Sequence, residues 1–249
     1  MPGGPWHVLA ISAVYAILVT KIGPAFMRDR KPYELTTAIK LYNVINIVAN
    51  TAIFVQAMLA TSYGVDCFRC FVQPKYAHQW WLSVSYFYLK IFDMLDTAFF
   101  ILRKKQSQVT KLHVIHHASM PFLTWLAAKF YPFPPISMTL LLNSFVHILM
   151  YTYYYMAAIP AYKEYLWWKK YITAVQLVQF FIIFAQTMIM FPQPCLNTTH
   201  RFVSLTGISF LMYMIYSFSK FYLNTYIRGN KKERNNNLVA MCVPINKVD

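Results

Sequence analysis

With 249 residues, 58% of them hydrophobic and only 12% charged, the chain departs from soluble composition, where about a quarter of residues are charged. Its apolar residues come in blocks approaching the roughly 20 that a helix needs to cross a ~30 Å hydrocarbon layer. A soluble globular domain is excluded. So is a nucleic-acid binder: the formal net charge of +15 sits in short clusters between apolar blocks, with no extended basic face.

In chain order the blocks predict seven spans, an all-α polytopic transmembrane bundle. They run from about Trp6 to Thr20, Leu35 to Ser62, Trp80 to Leu102, Leu112 to Phe130, Ile136 to Ala158, Tyr171 to Phe191 and Phe202 to Tyr226. The second is over-long, and an interfacial turn is expected around Glu34 to Lys40. Pro121 lies inside the fourth, where neighbouring helices can satisfy the freed carbonyl. Residues 1–228 read as one membrane domain, and residues 229–249 as a polar tail expected to be disordered. No cleavable signal peptide is expected, because no basic residue precedes the first apolar stretch.

Sixteen basic residues follow spans one, three, five and seven, whereas only Arg69, Lys75, Lys129 and Arg201 lie on the other side. The positive-inside rule then puts the carboxyl terminus in the cytosol and the amino terminus in the lumen. Asn197-Thr198-Thr199 is a glycosylation sequon on the lumenal side. Cys67, Cys70 and Cys195 fall there too, where disulfides persist. A Cys70–Cys195 bridge is one pairing, and three cysteines leave the choice open.

Ionisable residues inside a span cost several kcal/mol and need a partner or a function. In span three, Lys90, Asp93, Asp96 and Thr97 share a helical face. Lys90 can pair with Asp93 one turn on, and the plain structural reading is an ion pair that fixes packing. Span four opens with His113, His116 and His117 in one arc of about 100°. Three clustered imidazoles suit metal ligation, nucleophilic catalysis or proton transfer better than packing. Span five places Asn143, His147, Met150, Tyr151 and Tyr154 on one stripe, of which Asn143 and His147 are the stronger candidates. Span six adds Thr173, Gln176 and Gln179, where interhelical hydrogen bonding competes with substrate contact.

These residues resemble the motifs of the very-long-chain fatty acid elongase family. That family shows a Lys-x-x-Glu-x-x-Asp-Thr box, a His-x-x-His-His box, an Asn-x-x-x-His-x-x-Met-Tyr-x-Tyr-Tyr box and a Thr-x-x-Gln-x-x-Gln-Phe box. Here they read Lys90 to Thr97, His113 to His117, Asn143 to Tyr154 and Thr173 to Phe180, in the same order. Asp93 stands where the first box usually has Glu, and Lys111 replaces an apolar or aromatic residue before the His box. The tail lacks a terminal di-lysine retrieval signal, with Lys231-Lys232 lying upstream.

The resemblance implies a membrane 3-ketoacyl-CoA synthase that condenses a long-chain acyl-CoA with malonyl-CoA and releases CO2 and CoA. It implies no metal and no cofactor. His116 would be the nucleophile, forming an acyl-imidazole, with His113 and His117 orienting it or handling protons. His147 and Asn143 would contact the thioester or enolate oxygen, and Asp93 or Asp96 would fix a histidine tautomer. Lys90, Tyr151, Tyr154, Gln176 and Gln179 would contact substrate, and Lys169 and Lys170 the CoA phosphates. The acyl chain would occupy a buried tunnel. The resemblance also implies residence in the endoplasmic reticulum membrane and work alongside a ketoacyl-CoA reductase, a hydroxyacyl-CoA dehydratase and an enoyl-CoA reductase. It leaves a homodimer open. Two rivals remain at this point: a di-iron membrane desaturase or hydroxylase, which would draw on about eight histidines, and a seven-span receptor or transporter.

Overall fold

In a computed structural model, residues 4–69, 80–130 and 136–229 are described, and all regular structure among them is helical. The first segment exceeds its expected length: α1 (Trp6–Ile17) passes through a π-helical turn at Leu18–Ile22 into α2 (Gly23–Met27). The widened turn lies just before Pro24, which has no N–H to donate. Next comes α3 (Thr36–Ala60). Residues 36–40 are already helical, so no separate interfacial turn precedes it.

Span three is not continuous. It divides into α4 (Trp80–Phe92) and α5 (Leu95–Leu102), joined at Asp93–Met94. There Met94, Asp96 and Thr97 donate to the carbonyls of Ile91, Asp93 and Met94, each three residues back. This tightening to three residues per turn eclipses positions i and i+3. Lys90, Asp93 and Asp96 have that spacing, so the local backbone stacks the two acids and the cation.

The chain continues with α6 (Lys111–Phe130), α7 (Ser137–Ala157), α8 (Lys169–Met190) and α9 (Thr198–Tyr222). Pro121 is inside α6, where the Thr124 hydroxyl donates to the Met120 carbonyl, 2.8 Å away. A 3₁₀ segment at Pro160–Trp168 leads into α8. Asn197 caps α9: its side chain accepts from the His200 amide at 2.9 Å, and His200 Nδ1 accepts from the Asn197 amide. That bond uses the Asn197 Oδ1, leaving the amide nitrogen of this exposed sequon residue outside the cap.

Packing runs from α3 to α7, α8, α9, α6 and α4, and closes where α4 meets α3. α1 lies against α6. The bundle turns apolar side chains outward and keeps its polar ones inside, among apolar packing, as lipid requires. On α3, Leu41, Val48 and Leu59 are exposed, while Asn43, Asn46 and Asn50 on the opposite face are buried. Among the described residues, four segments are long and apolar enough to cross a bilayer: Trp6–Met27, Thr36–Ala60, Pro160–Met190 and Thr198–Arg228. The chain is thus an all-helical, multi-pass membrane protein.

Gly23 marks a close approach between α2 and α5. A Cβ there would meet the Leu18 carbonyl oxygen at 2.8 Å and the Ile101 Cγ2 at 3.0 Å. Gly23→Val is therefore expected to destabilise by about 1–3 kcal/mol, read as a lower thermal midpoint in detergent. Gly207→Ala, where a Cβ meets nothing within 4 Å, should leave the midpoint unchanged or raise it.

Candidate active site

The 3₁₀ turn between α4 and α5 presents its charged groups to α7. Lys90 Nζ lies 2.7 Å from Asp93 Oδ2 and 3.3 Å from His147 Nδ1. His147 Nδ1 is 3.5 Å from the same carboxylate oxygen. The Tyr151 hydroxyl reaches both acids, at 3.1 Å from Asp93 Oδ1 and 2.9 Å from Asp96 Oδ2. Behind it Tyr42 of α3 approaches within 3.5 Å, oxygen to oxygen. Lys90, Asp93 and Tyr151 are at most 2% exposed. The ammonium has hydrogens for both Asp93 and the imidazole. With Nδ1 accepting from Lys90, His147 carries its proton on Nε2.

A second chain ties α6 to this turn. Thr97 Oγ1 is 2.8 Å from His113 Nε2 and 2.7 Å from the Tyr15 hydroxyl of α1. The His113 ring packs on His117 at 4.3 Å between centroids, and His117 meets His116 edge to face at 5.3 Å. On its other side His116 stacks on Phe210 of α9, at 6.2 Å and 20°.

Between α4, α6, α7, α8 and α9 lies a cavity of about 140 Å³ with mostly apolar walls. His116, Asn143 and Gln179 line it together with Tyr86. Tyr86 donates to Asn143 Oδ1 at 2.6 Å, which fixes the amide and its N–H direction. His116 Nδ1 and Gln179 Oε1 are buried and have no partner among the described residues.

The expected residues thus separate into groups. Lys90, Asp93, Asp96, His147 and Tyr151 form the charged cluster, His113 and His117 back the third imidazole, and His116, Asn143 and Gln179 face the cavity. Tyr154 packs edge-on against Tyr151 at 6.0 Å, half-buried. Gln176 sits 4.0 Å from the Met150 sulfur. Lys169 and Lys170 are exposed at the start of α8 and do not line the cavity. Among the described residues, no three His, Cys, Asp or Glu side chains converge as a metal site would need. Cys195 is disulfide-bonded and Cys67 is a free, buried thiol, whose ionisation burial pushes up. Cys70 lies outside the described residues.

Sequence reasoning missed the phenols of Tyr15, Tyr42 and Tyr86, which look like packing aromatics. It also passed over Asn43, Asn46 and Asn50, all at most 1% exposed. Their i, i+3, i+7 spacing in an apolar block was a usable signal.

Buried acid–base side chains beside an apolar chamber in a lipid-facing bundle define a multi-pass membrane protein built for chemistry on an apolar substrate. The chain belongs to the ELO family, described as the GNS1/SUR4 family, whose model matches residues 1–234. It is 37% identical over 246 residues to a very long chain fatty acid elongase of Aedes aegypti, covering 92% of this chain and 65% of that one. Against very long chain fatty acid elongase 7 of Drosophila melanogaster the identity is 34% over 240 residues, 92% of this chain and 71% of the relative. Against that of Rattus norvegicus it is 36% over 234 residues, 89% and 81%.

The cluster yields a stability test. Lys90→Met leaves buried acid without its cation and is expected to cost about 3–5 kcal/mol. Adding Asp93→Leu should regain most of that, measured by unfolding in detergent as a double-mutant cycle.

Proposed function

We propose that this chain is the condensing enzyme of fatty acid elongation, a 3-oxoacyl-CoA synthase that joins a long-chain acyl-CoA to malonyl-CoA. Its family membership and the shared name of its relatives support the reaction class. The observation that carries the mechanism is His116, which is the imidazole at the cavity wall and has a buried, unpartnered nitrogen.

His116 attacks the thioester carbonyl and expels CoA, leaving an acyl-imidazole that divides one hard step into two. Malonyl-CoA then loses CO2, and the enolate attacks the acyl carbon and releases the imidazole. Both steps develop charge on oxygen. The Asn143 amide, held by Tyr86, and the Nε2–H of His147 are the donors that would meet it in a low-dielectric chamber. His113, anchored on Thr97, and His117 hold the His116 ring in place. The reaction needs no resident metal or cofactor, because imidazole and the two thioesters supply every carbon bond made and broken, and one proton completes the CoA thiol.

In this reading α4–α5, α6 and α7 also cross the membrane, giving seven spans around an acyl tunnel continuous with the cavity. The basic clusters face the cytosol, and Lys169 and Lys170 at the head of α8 receive CoA phosphates. Gln176, Gln179 and Tyr154 border the substrate. The amino terminus, Asn197 as a glycan acceptor and the Cys70–Cys195 bridge are lumenal, in the endoplasmic reticulum. The 3-oxo product calls for a reductase, a dehydratase and a second reductase as partners.

His116→Ala is expected to lower condensation at least about a thousandfold, measured with radiolabelled malonyl-CoA and a panel of acyl-CoAs on purified protein. Mass spectrometry of wild-type protein given acyl-CoA alone should find the acyl group on the peptide holding His116. Full activity in His116→Ala would sink the assignment.

A further inference from the structure

Tyr151 makes two short contacts to carboxyl oxygens with one hydrogen. It sits 3.1 Å from Asp93 Oδ1 and 2.9 Å from Asp96 Oδ2. A phenol donates one hydrogen, so the other contact needs a hydrogen from the acid. Asp93 is held by the Lys90 ammonium at 2.7 Å and so keeps its negative charge. The second hydrogen therefore belongs to Asp96. Charge counting gives the same answer: one ammonium faces two carboxyls in a space closed to water, and a second unpaired carboxylate there would cost several kcal/mol.

Among the described residues, the groups around Asp96 and its partners do not supply another cation. From α7 come Tyr151 and His147, whose Nδ1 accepts from Lys90; from α3 comes Tyr42. Towards α6 and α1, the neighbouring Thr97 is engaged by His113 and Tyr15.

We propose that Asp96 holds a proton at rest, and that the line Asp96–Tyr151–Asp93–Lys90–His147 stores it for the condensation. The inference rests on the proposed reaction, whose balance requires such a proton. An acyl-CoA and an ionised malonyl-CoA give a 3-oxoacyl-CoA, CO2 and a CoA thiolate. One proton per turnover converts that thiolate to the thiol. Successive hops pass it from Asp96 to the Tyr151 oxygen, from Tyr151 to Asp93 Oδ1 and, once the carboxyl group has turned that hydrogen towards the lysine, through Lys90 to His147. Each intermediate donor regains the hydrogen it gave. At the end Asp96 is a carboxylate and His147 an imidazolium, whose Nε2–H protonates the thiolate and leaves a neutral ring with its hydrogen on Nδ1. A proton taken up at His147 Nε2 then sends the Nδ1 hydrogen back along the same line to Asp96, restoring the resting state. Asp96 acts through these neighbours and need not touch substrate.

The test is the infrared spectrum of the full-length protein in detergent at neutral pH, with isotope-labelled aspartate to assign the carbonyl band of a protonated acid. The wild type should show this band and Asp96→Asn should lose it. In Lys90→Met the band should grow, since both acids are then neutral, and in Tyr151→Phe it should shift as the acid loses its acceptor. Asp96→Asn should also release CoA in a single turnover about tenfold or more slowly at neutral pH, with partial recovery in acid. A wild type lacking the band, or a band that survives Asp96→Asn, overturns the proton assignment. The band with unchanged turnover in Asp96→Asn across pH overturns the storage role. The wild-type spectrum decides the first point even if a variant does not fold. Wild-type protein showing the band but no condensation would refute the proposed reaction, not the proton.

Discussion

One ammonium and two carboxyl groups, buried where water does not reach, set the terms for the rest of the bundle. Isolated charges in hydrocarbon cost several kcal/mol each, and mutual attraction offsets that only when every remaining hydrogen and lone pair is engaged. The protein engages them with groups from several helices: His147 and Tyr151 from α7, Tyr42 from α3, and, beside them, the Thr97 contacts to His113 of α6 and Tyr15 of α1. The 3₁₀ turn at Asp93–Met94 is what lines up the lysine and the two acids in the first place. Helix packing here follows from satisfying the cluster as much as from apolar contact.

The chamber and the cluster are separate, and the separation is physically useful. An acyl chain gains by entering an apolar cavity, while a thioester needs only a few directed polar groups. The cavity holds groups of that kind, with His116, Asn143 and Gln179 set among aliphatic and aromatic walls. The Lys90–Asp93 pair stays one layer back, where Lys90 orients His147 and neither residue lines the cavity. Low dielectric then strengthens each remaining donor.

Much of this was legible in the residues. Apolar blocks marked the helices, and the cost argument singled out Lys90, Asp93, Asp96, His147 and the three clustered histidines before any coordinates. Three things were not. Residues 90 to 97 fit a period of 3.6 or 3.0 equally well over so short a stretch, so the break in span three was hidden. The histidines share one arc, and only the packing of α9 through Phe210 decides which of them meets the cavity. Tyr15 and Tyr42 carry no signal separating a hydrogen-bonding phenol from a packing ring, because both surroundings favour the same side chain.

Hydropathy and chemistry divide the helices between them. The segments apolar enough to span alone are Trp6–Met27, Thr36–Ala60, Pro160–Met190 and Thr198–Arg228. α4–α5, α6 and α7 are not among them, and those are the segments carrying the cluster and the four site histidines. A helix with buried lysine, aspartates and imidazoles is poorly suited to lipid by itself. It becomes tolerable once its polar face is turned inward and matched by neighbours, which the closed circuit from α3 through α7, α8, α9, α6 and α4 permits. The apolar helices therefore do more than enclose a cavity: by keeping lipid off the polar faces they let the charged helices pack inside the bundle. A change that loosens the α8–α9 or α3–α7 contacts then acts on the charged groups too, because their stabilisation depends on the same closure.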